Sequence, residues 1–187
     1  MKHPLITALL LSFIAASSLS ALPAQVIIIR HAEKPAQGND LSLKGKERSA
    51  ALAPYLMETE QLSVHGAPVA IYAAASSKTN SSQRSVQTVT PLADQLKLKV
   101  KETFEVENYK KMVDEIKSDP TFNGRTVLIC WEHSAIPEIA RAFGALQTPS
   151  RWPGEAFDRT WLITFGPTGR SSFQNLPQRL MFGDSYN

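Results

Sequence analysis

Two histidines in this chain follow aliphatic runs, and each has a charged neighbour. The first run ends on Arg30 and His31 in the stretch VIIIRHAEK, Val26 to Lys34. The second, TVLICW from Thr126 to Trp131, ends on Glu132 and His133. Arg84 follows a serine-rich loop, SSKTNSSQ, and Lys34 stands three residues after His31. Arginine offers a planar fork of donors matched to phosphate oxygens and keeps its charge. An imidazole nitrogen can attack phosphorus and carry the phosphoryl group until water cleaves it off. Each charge-assisted hydrogen bond is worth ~1.5–3 kcal/mol, so several meeting on one phosphate could dominate transition-state stabilisation. Taken singly, an Arg-His pair is an ordinary surface pair, and a histidine after a strand is an ordinary turn residue. Only convergence on one place gives them chemical meaning.

Convergence requires a scaffold. Val26–Ile29 has no polar alternation, which suits a strand covered on both faces. APVAIYAAA (Ala67 to Ala75) and Thr126–Trp131 read the same way, and TWLITF (Thr160 to Phe165) and SSFQNL add two strands, one of them antiparallel. Between them, Ser42 caps a helix through KGKERSAALAPYLM, with a kink or break expected at Pro54. Val86, Val89, Leu92, Ala93 and Leu96 mark one face of a second helix, weakened in its middle by Pro91. KVKETFEVEN predicts a short strand and a turn. Asn108 then caps a helix bearing Met112, Val113 and Ile116, and Ser134 caps AIPEIARAFG, with Pro137 in its first turn and Gly144 near its end. Strands alternating with helices predict a three-layer α/β/α sandwich on a mostly parallel sheet. Ligands of such sheets bind outside the carboxyl ends of the strands, which is where Arg30, His31, Arg84 and His133 fall.

The whole chain sets further bounds. Its 187 residues carry a formal charge of +3, from 20 basic and 17 acidic residues. That charge is spread along the chain. The densest basic stretch, KLKVK at 97–101, alternates with aliphatics as one face of an edge strand would, so no nucleic-acid partner is expected. After Lys2 no charged residue occurs before Arg30. The apolar run Leu5–Ala16 leads into small residues, the layout of a secretory signal peptide. The expected organisation is a signal peptide over 1–24 and one domain over 25–187, periplasmic or secreted, with no stable membrane anchor after cleavage. Cys130 is the only cysteine. It permits no internal disulfide, and within TVLICW it reads as a small buried hydrophobe. No metal and no cofactor are expected, because arginines beside both histidines would repel a cation.

RHAEK resembles the Arg-His signature of the histidine phosphatase superfamily, which includes phosphoglycerate mutases and histidine acid phosphatases. The resemblance continues through LSLKGKERSAALAPYL, QRSVQTVTPLADQL and TVLICWEHSAIPEIARAFG, from about Val26 to at least Trp161. It implies a phosphoglycerate mutase-like fold, with His31 as the phosphate-accepting nucleophile. It also implies that Arg30, Arg84 and His133 form the rest of the phosphate pocket, with Lys34 in the place of a further phosphate-binding cation. Lacking a sizeable inserted cap, the chain is similar to the small bacterial phosphohistidine phosphatases. It departs from the family pattern at Ala32, where glycine is usual, and at Ser134, where the acid phosphatase branch has aspartate. The proton donor is left open among Glu33, Glu105 and Glu107, and Glu107 stands with the catalytic candidates His31, Arg30, Arg84 and His133. The reading is an exported, metal-independent phosphatase acting on a small phosphorylated substrate. The alternative is a non-catalytic protein of the same fold that binds a phosphorylated ligand.

Overall fold

A computed structural model describes residues 22–78 and 81–185. Residues 1–21 of the expected leader lie outside them. Five strands form one sheet: β1 (Gln25–Arg30), β2 (Pro68–Ala73), β3 (Thr126–Trp131), β4 (Arg159–Phe165) and β5 (Ser171–Pro177), in the spatial order β2-β3-β1-β4-β5. β1 and β2 each pair parallel with β3, whereas β4 pairs antiparallel with both β1 and β5. The sheet therefore holds the expected antiparallel strand within an otherwise parallel set, a mixed arrangement that "mostly parallel" describes only loosely. Four strands share a direction and β4 opposes them, because the short connection from β4 to β5 can only make a hairpin.

Helices cover both faces. All six residues of β1 are buried, and they alternate between two cores. Ile27 and Ile29 pack with α1 (Leu43–Glu58) and α3 (Arg84–Leu96), along with Leu62 of the short α2 (Glu60–Ser63). Val26 and Ile28 pack with α4 (Tyr109–Ser118) and α5 (Ile136–Ala142). A strand sealed on both sides has no polar face, hence the unbroken aliphatic run. The helix after β1 thus packs on one face and the helix after β3 on the other. Adjacent parallel strands whose connections leave in opposite directions open a crevice at their carboxyl ends. His31 and His133 leave the two sides of that crevice.

The Ser42 hydroxyl accepts the Gly45 N–H at 3.0 Å, giving the expected cap. α1 does not break at Pro54. The proline is solvent-exposed there, so water can serve the carbonyl it frees. Pro91 frees the Gln87 carbonyl inside α3, and the Ser49 hydroxyl of α1 donates to that oxygen at 2.9 Å and to the Thr88 carbonyl at 2.8 Å. Two expectations fail locally. The strand expected in 99–108 reduces to single bridges at Lys101 and Glu105 beside β2, followed by a 3-10 turn at Val106–Asn108. Lys97, at φ 54°, turns the chain sharply out of α3, and the exposed Glu102 and Thr103 separate the two bridges. Ser134 does not cap α5, because its hydroxyl is spent on Glu132. The helix starts at Ile136, with Pro137 needing no donor partner in its first turn. Asn108 holds the cap position of α4 without a side-chain bond.

Candidate active site

His31 continues the β1 ladder by one residue, its backbone N–H donating to the Trp131 carbonyl at 3.2 Å. The next amide, Ala32 N–H, donates to the Thr88 hydroxyl at 2.9 Å, and that hydroxyl donates to the Arg84 carbonyl at 2.7 Å. The loop bearing His31 is thus pinned to the first turn of α3, where Arg84 begins the helix. Close packing supports it from below. A Cβ at Gly45 would stand 2.3 Å from the Glu33 carbonyl oxygen, so only glycine lets α1 approach this loop.

The imidazole is 6% exposed. Its Nδ1 lies 2.8 Å from the Ala32 carbonyl oxygen. A carbonyl only accepts, so Nδ1 carries the proton and Nε2 keeps its lone pair. Burial holds the pKa down at about 4; the Ala32 carbonyl opposes this, while Arg30 and Arg84 lower it further. His31 is therefore neutral at ordinary pH. It shares a cavity of about 40 Å³ with Arg84, Ser82, Ser85, Val106 and Glu132.

The two arginines are held in the same manner. Arg84 donates from Nε to the Asp40 carbonyl at 3.2 Å and from Nη2 to the Gly38 carbonyl at 2.5 Å. Arg30, 2% exposed, donates from Nη1 to the carbonyls of Gly154 and Ala156. Its Nε–H is buried without a hydrogen-bond partner among the described residues. Carbonyls orient a guanidinium without cancelling its charge. Arg48, a residue sequence reading did not single out, is the contrast: it forks onto Glu33 at 2.8–3.1 Å and onto Asp184 at 2.6–2.9 Å. Burial works against its charge, but the hydrogen bonds to Asp184 and Glu33 outweigh that and raise its pKa. Arg48 sits on the buried stripe of α1 with Ser49 and Leu52. A charged residue on an apolar face was the signal available in sequence.

The remaining candidates are less central. His133 is partly buried, its Nδ1 facing the Glu132 carboxylate, whose other oxygen accepts the Ser134 N–H at 2.9 Å and the Ser134 hydroxyl. Burial lowers the pKa of His133; Glu132 opposes this, while Arg30 and Lys34 reinforce it. Lys34 is exposed and lies on the His133 flank, away from the walls of the His31 cavity. Glu33 has both carboxylate oxygens engaged by Arg48, with Lys44 at 3.8 Å, so it is poorly placed to deliver a proton to the cavity. Glu105 and Glu107 are exposed on either side of Val106, a cavity residue. Their turn is stitched over the strand ends by Ala75 N–H to the Phe104 carbonyl at 2.8 Å and Trp131 Nε1–H to the Val106 carbonyl at 3.3 Å. Cys130 is wholly buried and burial pushes its thiol up, in keeping with a packing role.

No protein-family model matches the chain, and no curated protein does. Solved structures do. The protein histidine phosphatase SixA in complex with tungstate aligns with a TM-score of 0.54 at 16% identity, over 82% of this chain and 97% of its own. A protein designated SixA from Agrobacterium tumefaciens aligns at 0.51 and 13% identity, over 83% and 99%. A phosphoglycerate mutase from Bacillus anthracis str. Sterne aligns at 0.56 and 14% identity, over 87% and 96%. The chain has the fold of these proteins.

Proposed function

We propose that this chain is a member of the histidine phosphatase superfamily and an exported, metal-independent phosphatase that hydrolyses phosphate monoesters through a phosphohistidine on His31. The observation that carries the reading is a buried, neutral imidazole with Nε2 unprotonated, sharing its cavity with Arg84 and flanked by Arg30. Carbonyls hold both guanidiniums, so their charge stays available to an anion.

In the first step Nε2 attacks phosphorus and the P–O bond to the leaving group breaks. The departing alkoxide takes a proton from Glu107, or from Glu105 in the same turn. In the second step water attacks phosphorus and gives its proton to the same carboxylate, the P–N bond breaks, inorganic phosphate leaves, and both His31 and the glutamic acid return to their starting states. Arg30, Arg84 and His133 bind the equatorial oxygens, and Lys34 adds charge at the rim. Glu132 orients His133. The small cavity takes a phosphoryl group and leaves the rest of a small phosphorylated substrate outside. The apolar run Leu5–Ala16 supports export, and β1 begins at Gln25, so loss of residues 1–24 would spare the whole sheet.

The test is turnover of an aryl phosphate by the mature chain with a chelator present, followed by acid quench with labelled phosphate ester. Label bound to protein, lost in His31→Ala along with at least ~10³-fold of kcat, is the expected result. Unchanged turnover in that variant would overturn the reading. Phosphate binding without turnover or covalent label would mark a non-catalytic phospho-ligand binder instead.

A further inference from the structure

The chain between α5 and β4 contains Trp152-Pro-Gly-Glu-Ala-Phe157, and the chemistry above gives a role only to two of its carbonyls. This turn is closed on itself. Ala156 N–H donates to the Pro153 carbonyl at 3.1 Å, and the Trp152 indole N–H donates to the Ala156 carbonyl at 2.7 Å. Trp152 is anchored in turn against Trp161, with ring centroids 5.0 Å apart, and Trp161 meets Phe173 edge-on at 5.1 Å. A turn tied down this way is a rigid support.

It presents three ligands to one guanidinium. The carbonyls of Gly154 and Ala156 accept from Arg30 Nη1, and the Phe157 ring lies 3.9 Å from the guanidinium carbon. The same ring stands 6.0 Å from the imidazole of His31. Phe157 therefore adjoins both members of the Arg-His pair. An aromatic face attracts a guanidinium, most strongly where both are desolvated, and it does so without supplying a negative charge. Its apolar bulk beside the imidazole also keeps water away from a ring whose neutrality depends on burial.

We propose that Phe157 is a positioning residue for the Arg30–His31 pair, fixing the plane of the guanidinium for a phosphate and shielding the imidazole from water. The proposal rests on the phosphate-site reading of Arg30 and His31, but two of its consequences are measurable without turnover.

The experiment compares the parent chain with Phe157→Leu, which loses the ring face and with it part of the apolar cover over the imidazole, and with Phe157→Tyr, which keeps both. Affinity for inorganic phosphate is read by calorimetry, and the His31 titration by NMR, its signal assigned with His31→Asn. Phe157→Leu should weaken phosphate binding ~10-fold, the factor for loss of ~1.4 kcal/mol. It should also raise the His31 midpoint from about 4 toward 6.5, with Phe157→Tyr within about two-fold of the parent in binding. Trp152→Phe, which loses the indole N–H to Ala156 and part of the ring packed on Trp161, should show the same changes in smaller measure and covers the case in which Phe157→Leu does not fold. Parent-like phosphate affinity and titration in Phe157→Leu, or in Trp152→Phe if only that variant folds, would overturn the proposal, as would equal defects in Phe157→Tyr and Phe157→Leu. A parent that binds phosphate without turnover defeats the enzymatic reading and leaves this test intact. A parent that binds no phosphate defeats the site reading, and the His31 titration alone then decides the role of Phe157.

Discussion

A histidine is useful as a nucleophile when it is neutral and one nitrogen is bare, and His31 meets both conditions through its surroundings. The Ala32 carbonyl accepts a hydrogen bond from Nδ1–H, which keeps the proton there, and burial keeps a second proton off Nε2. The same burial makes a prediction about acid. The unfolded chain protonates His31 near pH 6.5, whereas the folded chain resists until about pH 4. Between those values the unfolded state binds more protons, so stability is complete above pH 6.5 and falls as pH drops toward 4. At about 1.4 kcal/mol per pH unit, the loss from this group is roughly 3 kcal/mol. Urea unfolding of the parent and of His31→Asn across pH 4–7 should show a steeper acid loss in the parent. Equal slopes would mean that His31 is hydrated in the fold. The acid limb of kcat/KM should likewise lie near pH 4.

Elements position this residue through three contacts that each need a particular side chain. α3 holds the loop from one side through the Thr88 hydroxyl, and α1 holds it from beneath because Gly45 has no Cβ. α1 and α3 hold each other through Ser49, which serves the carbonyl freed by Pro91. Gly45→Ala would ordinarily favour a helix by ~1 kcal/mol. Here the added carbon would meet a backbone oxygen at 2.3 Å, and backbone cannot swing aside. The expected outcome is a net loss of ~1–3 kcal/mol from overpacking, accompanied by a drop in kcat because Glu33 lies two residues from His31. Chemical denaturation and aryl phosphate kinetics of the purified variant check both. A variant more stable than the parent would show that the loop is not packed as described.

At the scale of the molecule, the C-terminal segment closes the structure behind the site. Asp184 receives Arg48, and the Gln178 side chain accepts from Arg48 and donates to the Arg159 carbonyl. Ser185 donates to Asp158, one residue beyond Phe157. Arg48 thus joins the His31 loop, through Glu33, to the tail that braces the Phe157 turn. Its side chain is 2% exposed, against 12% for Glu33 and 4% for Asp184. Removing the cation strands two carboxylates with little water, and breaking such a buried pair costs ~3–5 kcal/mol. Arg48→Met should lower the urea-unfolding free energy by that amount, and activity should fall in step as Glu33 is released. A loss under ~1 kcal/mol, the range of an exposed pair, would show that the cluster is solvated.

Sequence alone determined whatever depends on local periodicity and local chemistry. The aliphatic runs of β1 and β3 exist because a strand sealed on both faces tolerates nothing else. Ser42, Pro137 and Gly144 mark helix ends because the backbone groups there need a cap, a missing donor or a positive φ. The placing of Arg30, His31, Arg84 and His133 at strand ends and a helix start followed from those elements. Tertiary structure alone decided what depends on who meets whom. The Lys-rich stretch at 97–101 alternates like a strand, yet it bridges to β2 only at Lys101, because pairing needs a neighbour in register along its length. Arg30, Arg84 and Arg48 look alike in sequence. Only the fold gives carbonyls to the first two and carboxylates to the third, and that difference separates a charge available to a ligand from one already cancelled.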